Sequence, residues 1–454
     1  MALSESNGSP VHAPLVVRDS APADLLIRGA HVLDPRAGID APHDVLVRGG
    51  EIAELGAPGS LSAPQGAEVL DGEGRHLFPG FVDPHVHFRT PGQEHKEDLD
   101  SGTRAAAAGG FVALIAMPNT SPVVDSAPIL RSLREAARRE ARVPVGFLAS
   151  VTRGLQGEAL TEMAELRDTG ALGFTDDGKP VHRAAILQRA LQYQRLCGGV
   201  LALHEEDPSL AGHGVMHEGA VSARLGMEGI PSISESTMVA RDSAIAAYEQ
   251  GRVHFQHLSC VESVQALAAW KAAGAQVRGA ASPHHLTLTD EAVRSLDSRF
   301  KMNPPLRTEA DRQALVAGLR DGTIECVATD HAPHARHEKE VPFEEAPMGV
   351  TGLETAFPVL YTELVLPGVL GLALVVERMT AGAALLDLPT PRIAVGEPAN
   401  LTLLDLAAEW EVGARGYVSK SGNSCFEGRA LRGVVRLTVA AGAVVHRAPV
   451  EVAA

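Results

Sequence analysis

The chain has 454 residues, 45% of them hydrophobic and 21% charged, with 40 basic against 56 acidic residues for a formal net charge of -16. That length fits one large domain of roughly 250 residues or more plus a smaller unit. The acidic balance excludes a broad electrostatic footprint for nucleic acid or an anionic membrane, so an anionic substrate needs local positive groups, a metal or an arginine.

Residues 1–22 are polar, with no apolar core behind a basic start, and are expected to form a disordered N-terminal tail rather than a secretory signal. Cys197, Cys260, Cys326 and Cys425 are scattered singly, without a CxxC pair, which fits a reducing cytoplasm. The most apolar later segment, LPGVLGLALVV, falls well short of the ~20 residues that span a bilayer, so a soluble cytoplasmic protein is expected.

From 23 to 77 the pattern is short β-like runs, LLIRGAHVLD, HDVLVRGGEIAELG and AEVLDGEGRHLF, separated by Gly, Pro and Asp turns. Residues 391–454, with ANLTLLDL and LRGVVRLTVAAGAVVHR, have the same texture. Neither piece is long enough alone, so both ends are expected to combine into one small β-sandwich.

Residues 78–390 alternate apolar strand-like runs with helix-forming stretches. The runs are HLFPGFVDPHVHF, FVALIAMPN, VPVGFLASV, GALGFTDDG, GVLALHEED, RVHFQHLS, AQVRGAASPHHL and IECVATDHAPH. Between them lie LDSGTRAAAAGG, SAPILRSLREAARREA, AAILQRALQYQRL and SVQALAAWKAAG. Eight such units close a (β/α)8 barrel of the TIM type, whose chemistry resides at the C-terminal ends of the strands. The alternative, a doubly wound open sheet, lacks a Gly-rich dinucleotide fingerprint.

Polar residues collect at those ends. His85 and His87 close the first run, with Arg89 two residues on; strand alternation would put all three on one face. Alone, an HxH pair reads equally well as two partly exposed histidines. Asp176 and Asp177 end the fourth run, His204 the fifth, His257 the sixth and Asp330 the eighth. Four imidazoles and two carboxylates suit Zn2+ best, with Mn2+, Co2+ and Fe2+ open. Six ligands exceed one tetrahedral ion, and two ions sharing a bridging carboxylate and hydroxide is the economical arrangement.

DPHVHFRTPG, AMPNT, FTDDG, ALHEED, HLS, SPHHL, KMNPPLR, ATDHAPH and GLETAFP, in this order, resemble the amidohydrolase superfamily and, within it, the class I bacterial dihydroorotases. The resemblance implies a metal-dependent hydrolase of pyrimidine biosynthesis that reversibly closes N-carbamoyl-L-aspartate to L-dihydroorotate. It implies that His85, His87 and Asp330 hold one Zn2+, that His204 and His257 hold the other, and that Asp177 bridges them. Many relatives use a carbamylated lysine as the bridge, but FTDDG offers none. Asp176 should then point elsewhere or make a supporting hydrogen bond. Asp330 is the expected general base and acid, placed to carry a proton from hydroxide to the departing amide nitrogen.

Arg89 offers bidentate donors for the substrate carboxylate, and Asn119 adds an amide donor. The resemblance also implies substrate contacts from His87, Asn303 and His334 and from the backbone of Met348 and Gly349. Many relatives have Phe in place of Met348, which backbone bonds would survive, and Glu in place of Thr90, for which the sequence offers no reading. The charged stretch 335–347 is either a lid over the site or a solvated loop. Alternatives are an allantoinase or a hydantoinase (dihydropyrimidinase), which commonly lack an arginine after the second histidine. A further one is an inactive scaffold for aspartate transcarbamoylase, which would typically lose metal ligands. An active enzyme could also form a homodimer or bind that transcarbamoylase.

Overall fold

A computed structural model describes residues 15–448. In chain order the strands are β1 (Leu25–Asp34), β2 (Ile39–Arg48), β3 (Glu51–Gly56), β4 (Glu68–Asp71) and β5 (His76–Pro79). There follow β6 (Phe81–Val86), β7 (Phe111–Ala116), β8 (Val145–Ala149), β9 (Gly173–Phe174) and β10 (Val200–Leu203). A minor pair, β11 (Met216–His217) and β12 (Gly229–Ile230), precedes β13 (Val253–Phe255), β14 (Val277–Ala281) and β15 (Cys326–Val327). The chain ends on β16 (Leu401–Glu411), β17 (Ala430–Ala440) and β18 (Ala443–Arg447).

All eight apolar runs of the middle region enter one parallel sheet, in the order β15-β14-β13-β10-β9-β8-β7-β6. Every residue of β6, β7 and β8 is buried, as expected of parallel strands covered on both faces. The ring closes where Val86 pairs with His331, and His87 N–H donates to His331 O at 2.9 Å. Asp83, buried in β6, reinforces this seam: its carboxylate accepts the Thr329 N–H at 3.1 Å and the Thr329 hydroxyl. Burial nevertheless pushes its pKa up to about 6. The four helical stretches form helices Leu99–Ala108, Ala127–Glu140, Ala184–Cys197 and Val261–Ala272. In Ala127–Glu140 the buried Leu130, Leu133 and Ala137 lie on one face at three- and four-residue spacing.

The two chain ends combine as expected, with one qualification. A single hydrogen-bonded sheet, β18-β17-β16-β5-β1-β2-β3 with β4 beside β1, supplies the whole unit. Side chains from both its halves, among them Ile27, Val45, Ile52, Leu401 and Val439, share one apolar cluster, so the sheet wraps around its own core. The run HLFPGFVDPHVHF divides at Gly80. Its first half is β5 in this sheet, reaching Pro79, and its second is β6 of the barrel. A Cβ at Gly80 would stand 2.1 Å from Val112 Cγ1, so the crossing needs a residue without one.

The expected tail 1–22 is corrected in part. Residues 1–14 lie outside the described residues, but Val16 is buried and exchanges two backbone bonds with Val145, at 2.8 and 3.0 Å. A β-branched apolar side chain docks at the start of β8, where pairing with β9 has not yet begun, instead of staying in water. Among the described residues no helix is long and apolar enough to cross a membrane.

Candidate metal centre and active site

At the C-terminal end of the barrel the strands deliver six side chains into one buried cluster. His85 and His87 leave β6 with their Nε2 atoms 3.2 Å apart. Asp330 Oδ1 lies 3.2 Å from His87 Nε2 and 3.4 Å from His85 Nε2. Asp177 Oδ1 lies 3.4 Å from His85 Nε2 and 3.6 Å from His257 Nε2, and its Oδ2 lies 3.4 Å from His87 Nε2. His204 joins through Nδ1, 3.2 Å from His257 Nε2. His85, His87 and Asp330 form one tight group, and His85, Asp177 and His257 another. His204 stands outside both, at the margin.

Two backbone strains aim these groups. His257 has φ 30° and Asp330 φ 49°, a region that side-chain-bearing residues avoid and that concentrates at functional sites. Arg89 shares it at φ 59°. Strand alternation therefore does not run through 85, 87 and 89: β6 ends at Val86, and Arg89 reaches the site by a turn. Its Nε donates to Pro333 O at 3.1 Å.

The cluster fits a divalent cation. Nitrogen ligands of a tetrahedral zinc, bonded at about 2.0–2.1 Å, stand about 3.3 Å apart, close to the spacings found here. Two neutral imidazoles 3.2 Å apart repel through their lone pairs unless a positive centre lies between them or a proton bridges them. The carboxylates favour positive charge strongly. Asp177 is well below the ordinary carboxylate range because the charge of His85 and the nearby His257 and His87 imidazoles outweigh the burial that would raise it. His85 rises to about 9, its burial outweighed by Asp177 and Asp330. Asp177 Oδ1 has no hydrogen-bond donor although it is buried.

Asp176 is excluded from the cluster. Its carboxylate accepts the Thr152 N–H at 3.0 Å and the Thr152 hydroxyl, and burial raises it to about 6. Asn119 spans two members of the cluster: Oδ1 lies 2.9 Å from His87 Nδ1, and Nδ2 donates to Asp177 Oδ2 at 3.3 Å. The first bond leaves Nδ1 of His87 as the donor and Nε2 free for the cluster. Asn303 Nδ2 lies 3.4 Å from His204 Nε2.

Beyond Arg89 the wall is built from His334, Met348 and Gly349. His334 Nε2–H donates to Met348 O at 2.8 Å, so Arg89, 3.4 Å from the same nitrogen, is a neighbour and not a donor to it. Burial first, then Arg89, pushes His334 down to about 2, leaving it neutral. The stretch 335–347 is neither free nor simply solvated. It holds a short helix, Arg336–Lys339, and the buried Lys339 Nζ donates to Lys301 O, Pro347 O and Gly349 O at 3.2, 2.9 and 3.0 Å. Lys301 Nζ in turn holds Phe343 O and Glu344 O. Nothing at Thr90 explains its departure from the pattern.

Sequence reasoning missed Thr152, Lys301, Lys339 and Glu97. Glu97 is fully buried and gathers the hydroxyls of Ser101 and Ser419 with His331 Nε2, the last at 3.3 Å. Most of their partners, such as Asp176, Phe343, Ser419 and His331, lie far off in sequence, and a lone lysine or glutamate in a charged stretch carries no signal of its own.

A model of a family described as dihydro-orotase-like matches residues 74–263. Dihydroorotase of Geobacter sp. (strain M21) is 46% identical over 426 residues, 94% of this chain and 100% of that protein. Dihydroorotase of Anaeromyxobacter dehalogenans (strain 2CP-C) is 45% identical over 428 residues, 93% of this chain and 98% of its own length. Among solved structures, L-hydantoinase (dihydropyrimidinase) from Arthrobacter aurescens superimposes with a TM-score of 0.83 at 24% identity, over 94% of this chain and 96% of that one. At that identity the likeness speaks for the fold alone, an eight-stranded parallel barrel with its accompanying sheet. Near-full-length identity of this order settles the kinship: the chain belongs to the dihydroorotase family.

Proposed function

We propose that this protein is a metal-dependent dihydroorotase, interconverting L-dihydroorotate and N-carbamoyl-L-aspartate by opening and closing one cyclic amide bond. The observation that carries the reading is the Arg89 guanidinium at the rim of a buried six-donor cluster, held to Pro333 O beside His334. A cyclic amide bearing a carboxylate matches that pairing of a metal site with an anion clamp.

His85, His87 and Asp330 would hold one zinc ion, His204 and His257 a second, with Asp177 between them. When bound, the metal supplies Lewis acidity, polarising the ring carbonyl and lowering the pKa of water toward ~7. Asp330 does the proton work. Its carboxylate takes the proton of the attacking water and returns it to the amide nitrogen as the C–N bond breaks; ring closure runs the same transfers in reverse. Arg89 receives the substrate carboxylate, and Asn119 and Asn303 present amide groups to the ring. His334 and the backbone of Met348 and Gly349 complete the wall.

The catalytic unit in this reading is the barrel, from Gly80 to about 390, flanked by the sheet unit of 23–79 and 391–448. All six ligand residues are present, which argues against an inactive scaffold for aspartate transcarbamoylase. A homodimer, or an active complex with that transcarbamoylase, is an extension that sizing of the protein alone and mixed with the partner would test. The function itself is tested with a panel of dihydroorotate, dihydrouracil, hydantoin and allantoin, with zinc assayed on the same sample. Turnover of any of the last three with none of dihydroorotate overturns the proposal.

A further inference from the structure

The C-terminal part of the chain does more than complete the accompanying sheet. Between β16 and β17 it leaves that sheet and lies on the active face of the barrel. Ser421 Oγ donates to Lys96 O at 2.7 Å, Ser419 Oγ bonds Glu97, and the Val418 N–H donates to Glu354 at 3.1 Å. At the inner end of this segment Asn423 is buried at 5% exposure.

The Asn423 carboxamide meets three backbone groups. Oδ1 accepts the His334 N–H at 3.1 Å, and Nδ2 donates to Ala332 O at 3.2 Å and to Gly349 O at 3.1 Å. The orientation of the amide follows from the partners: a flipped group would set NH2 against an N–H and oxygen against two carbonyls. His334 and Gly349 lie close enough that a Cβ on Gly349 would stand 3.0 Å from His334 Nε2 and 2.8 Å from Ala332 Cβ. One side chain from the far end of the sequence therefore ties together two strips of backbone, 332–334 and 349, that also meet directly through the Ala332 N–H to Val350 O bond at 2.8 Å. Arg89 is tied to the first strip through Pro333 O.

We infer that Asn423 is a positioning residue for substrate recognition: it fixes the His334 and Gly349 backbones in register with Arg89, so that the wall facing the substrate carboxylate is formed before substrate arrives. The inference rests on the dihydroorotase reading for the identity of that substrate. A preformed wall lowers the ordering cost of binding, so its loss acts on KM more than on kcat.

The test compares Asn423→Ala with the isosteric Asn423→Asp, measuring KM and kcat for dihydroorotate, zinc content, and hydrogen exchange across 332–350. The alanine variant should raise KM by about tenfold, as befits loss of a few hydrogen bonds. The aspartate variant should be worse, because its carboxylate faces two carbonyl oxygens; a packing role would rank it near the parent. Zinc content should hold, and exchange should quicken within 332–350 only. If the alanine variant is insoluble, Asn423→Ser, whose hydroxyl falls one bond short of the three backbone partners, replaces it. Unchanged KM, or a lower kcat at unchanged KM with Asp close to the parent, overturns the inference. If the parent protein fails to turn over dihydroorotate, the functional reading falls instead, and exchange alone decides: quickening confined to 332–350 supports the positioning role, and none refutes it.

Discussion

Thr152 takes both oxygens of Asp176, one through its backbone N–H at 3.0 Å and the other through its hydroxyl, and so separates two adjacent aspartates into different tasks. Asp177, released from any such partner at Oδ1, faces His85 and His257. Asp177→Ala should lose most of its bound zinc, measured by elemental analysis. Asp176→Ala should keep it better, at a stability cost of roughly 1–3 kcal/mol for the unpaired Thr152 groups. The reverse ranking of zinc content would exchange the two assignments.

Asp330→Asn preserves size and removes the carboxylate that moves the proton. A loss in kcat of about 10²–10⁴-fold is expected, the range general acid–base catalysis supplies. Steady-state kinetics on zinc-saturated protein decide the point; kcat within a few-fold of the parent removes Asp330 from that role.

Arg89→Ala should act on recognition. Removing a charge-assisted hydrogen bond costs about 1.5–3 kcal/mol, or a KM for dihydroorotate raised about 10- to 100-fold. Arg89→Lys should recover little, because an ammonium cannot make the planar two-point contact. Full recovery by lysine would mean that charge alone suffices.

Acid stability carries a separate signature. His217 Nδ1 accepts from Arg307 Nη1 at 3.1 Å, and burial, then that guanidinium, lowers its pKa from 6.5 to about 4. Between these values the unfolded chain binds a proton that the folded one refuses. This contribution is therefore intact above pH 6.5 and is lost progressively as pH falls toward 4. His217→Gln should flatten the decline of Tm across that window, as thermal scans from pH 7 to 4 would record. An identical slope in both proteins would dismiss the effect.

Much of this was legible in the sequence because the barrel places its reactive side chains at strand ends, where apolar runs stop. His85, His87, Asp177, His204, His257 and Asp330 are each read from the residue at which a run gives way to a loop. What escaped depends on contacts rather than on period. Arg89 itself is legible, but not how it is placed: it lies past the end of β6, where a positive φ replaces alternation. The break at Gly80 is visible only once Val112 is seen against it. The docking of Val16 needs the start of β8 left unpaired by β9, and the segment carrying Asn423 has no periodicity to mark it.

The seam of the barrel joins Val86 to His331, and Asp83 to Thr329, across nearly the whole length of the middle region. A ribosome has made three-quarters of the protein before those partners can meet. Until then His85 and His87 have emerged without Asp330, as a half-built chelator on an unclosed sheet. Metal capture should accordingly be among the last events of maturation, and chains cut short before this point should be poor in metal as well as unfolded.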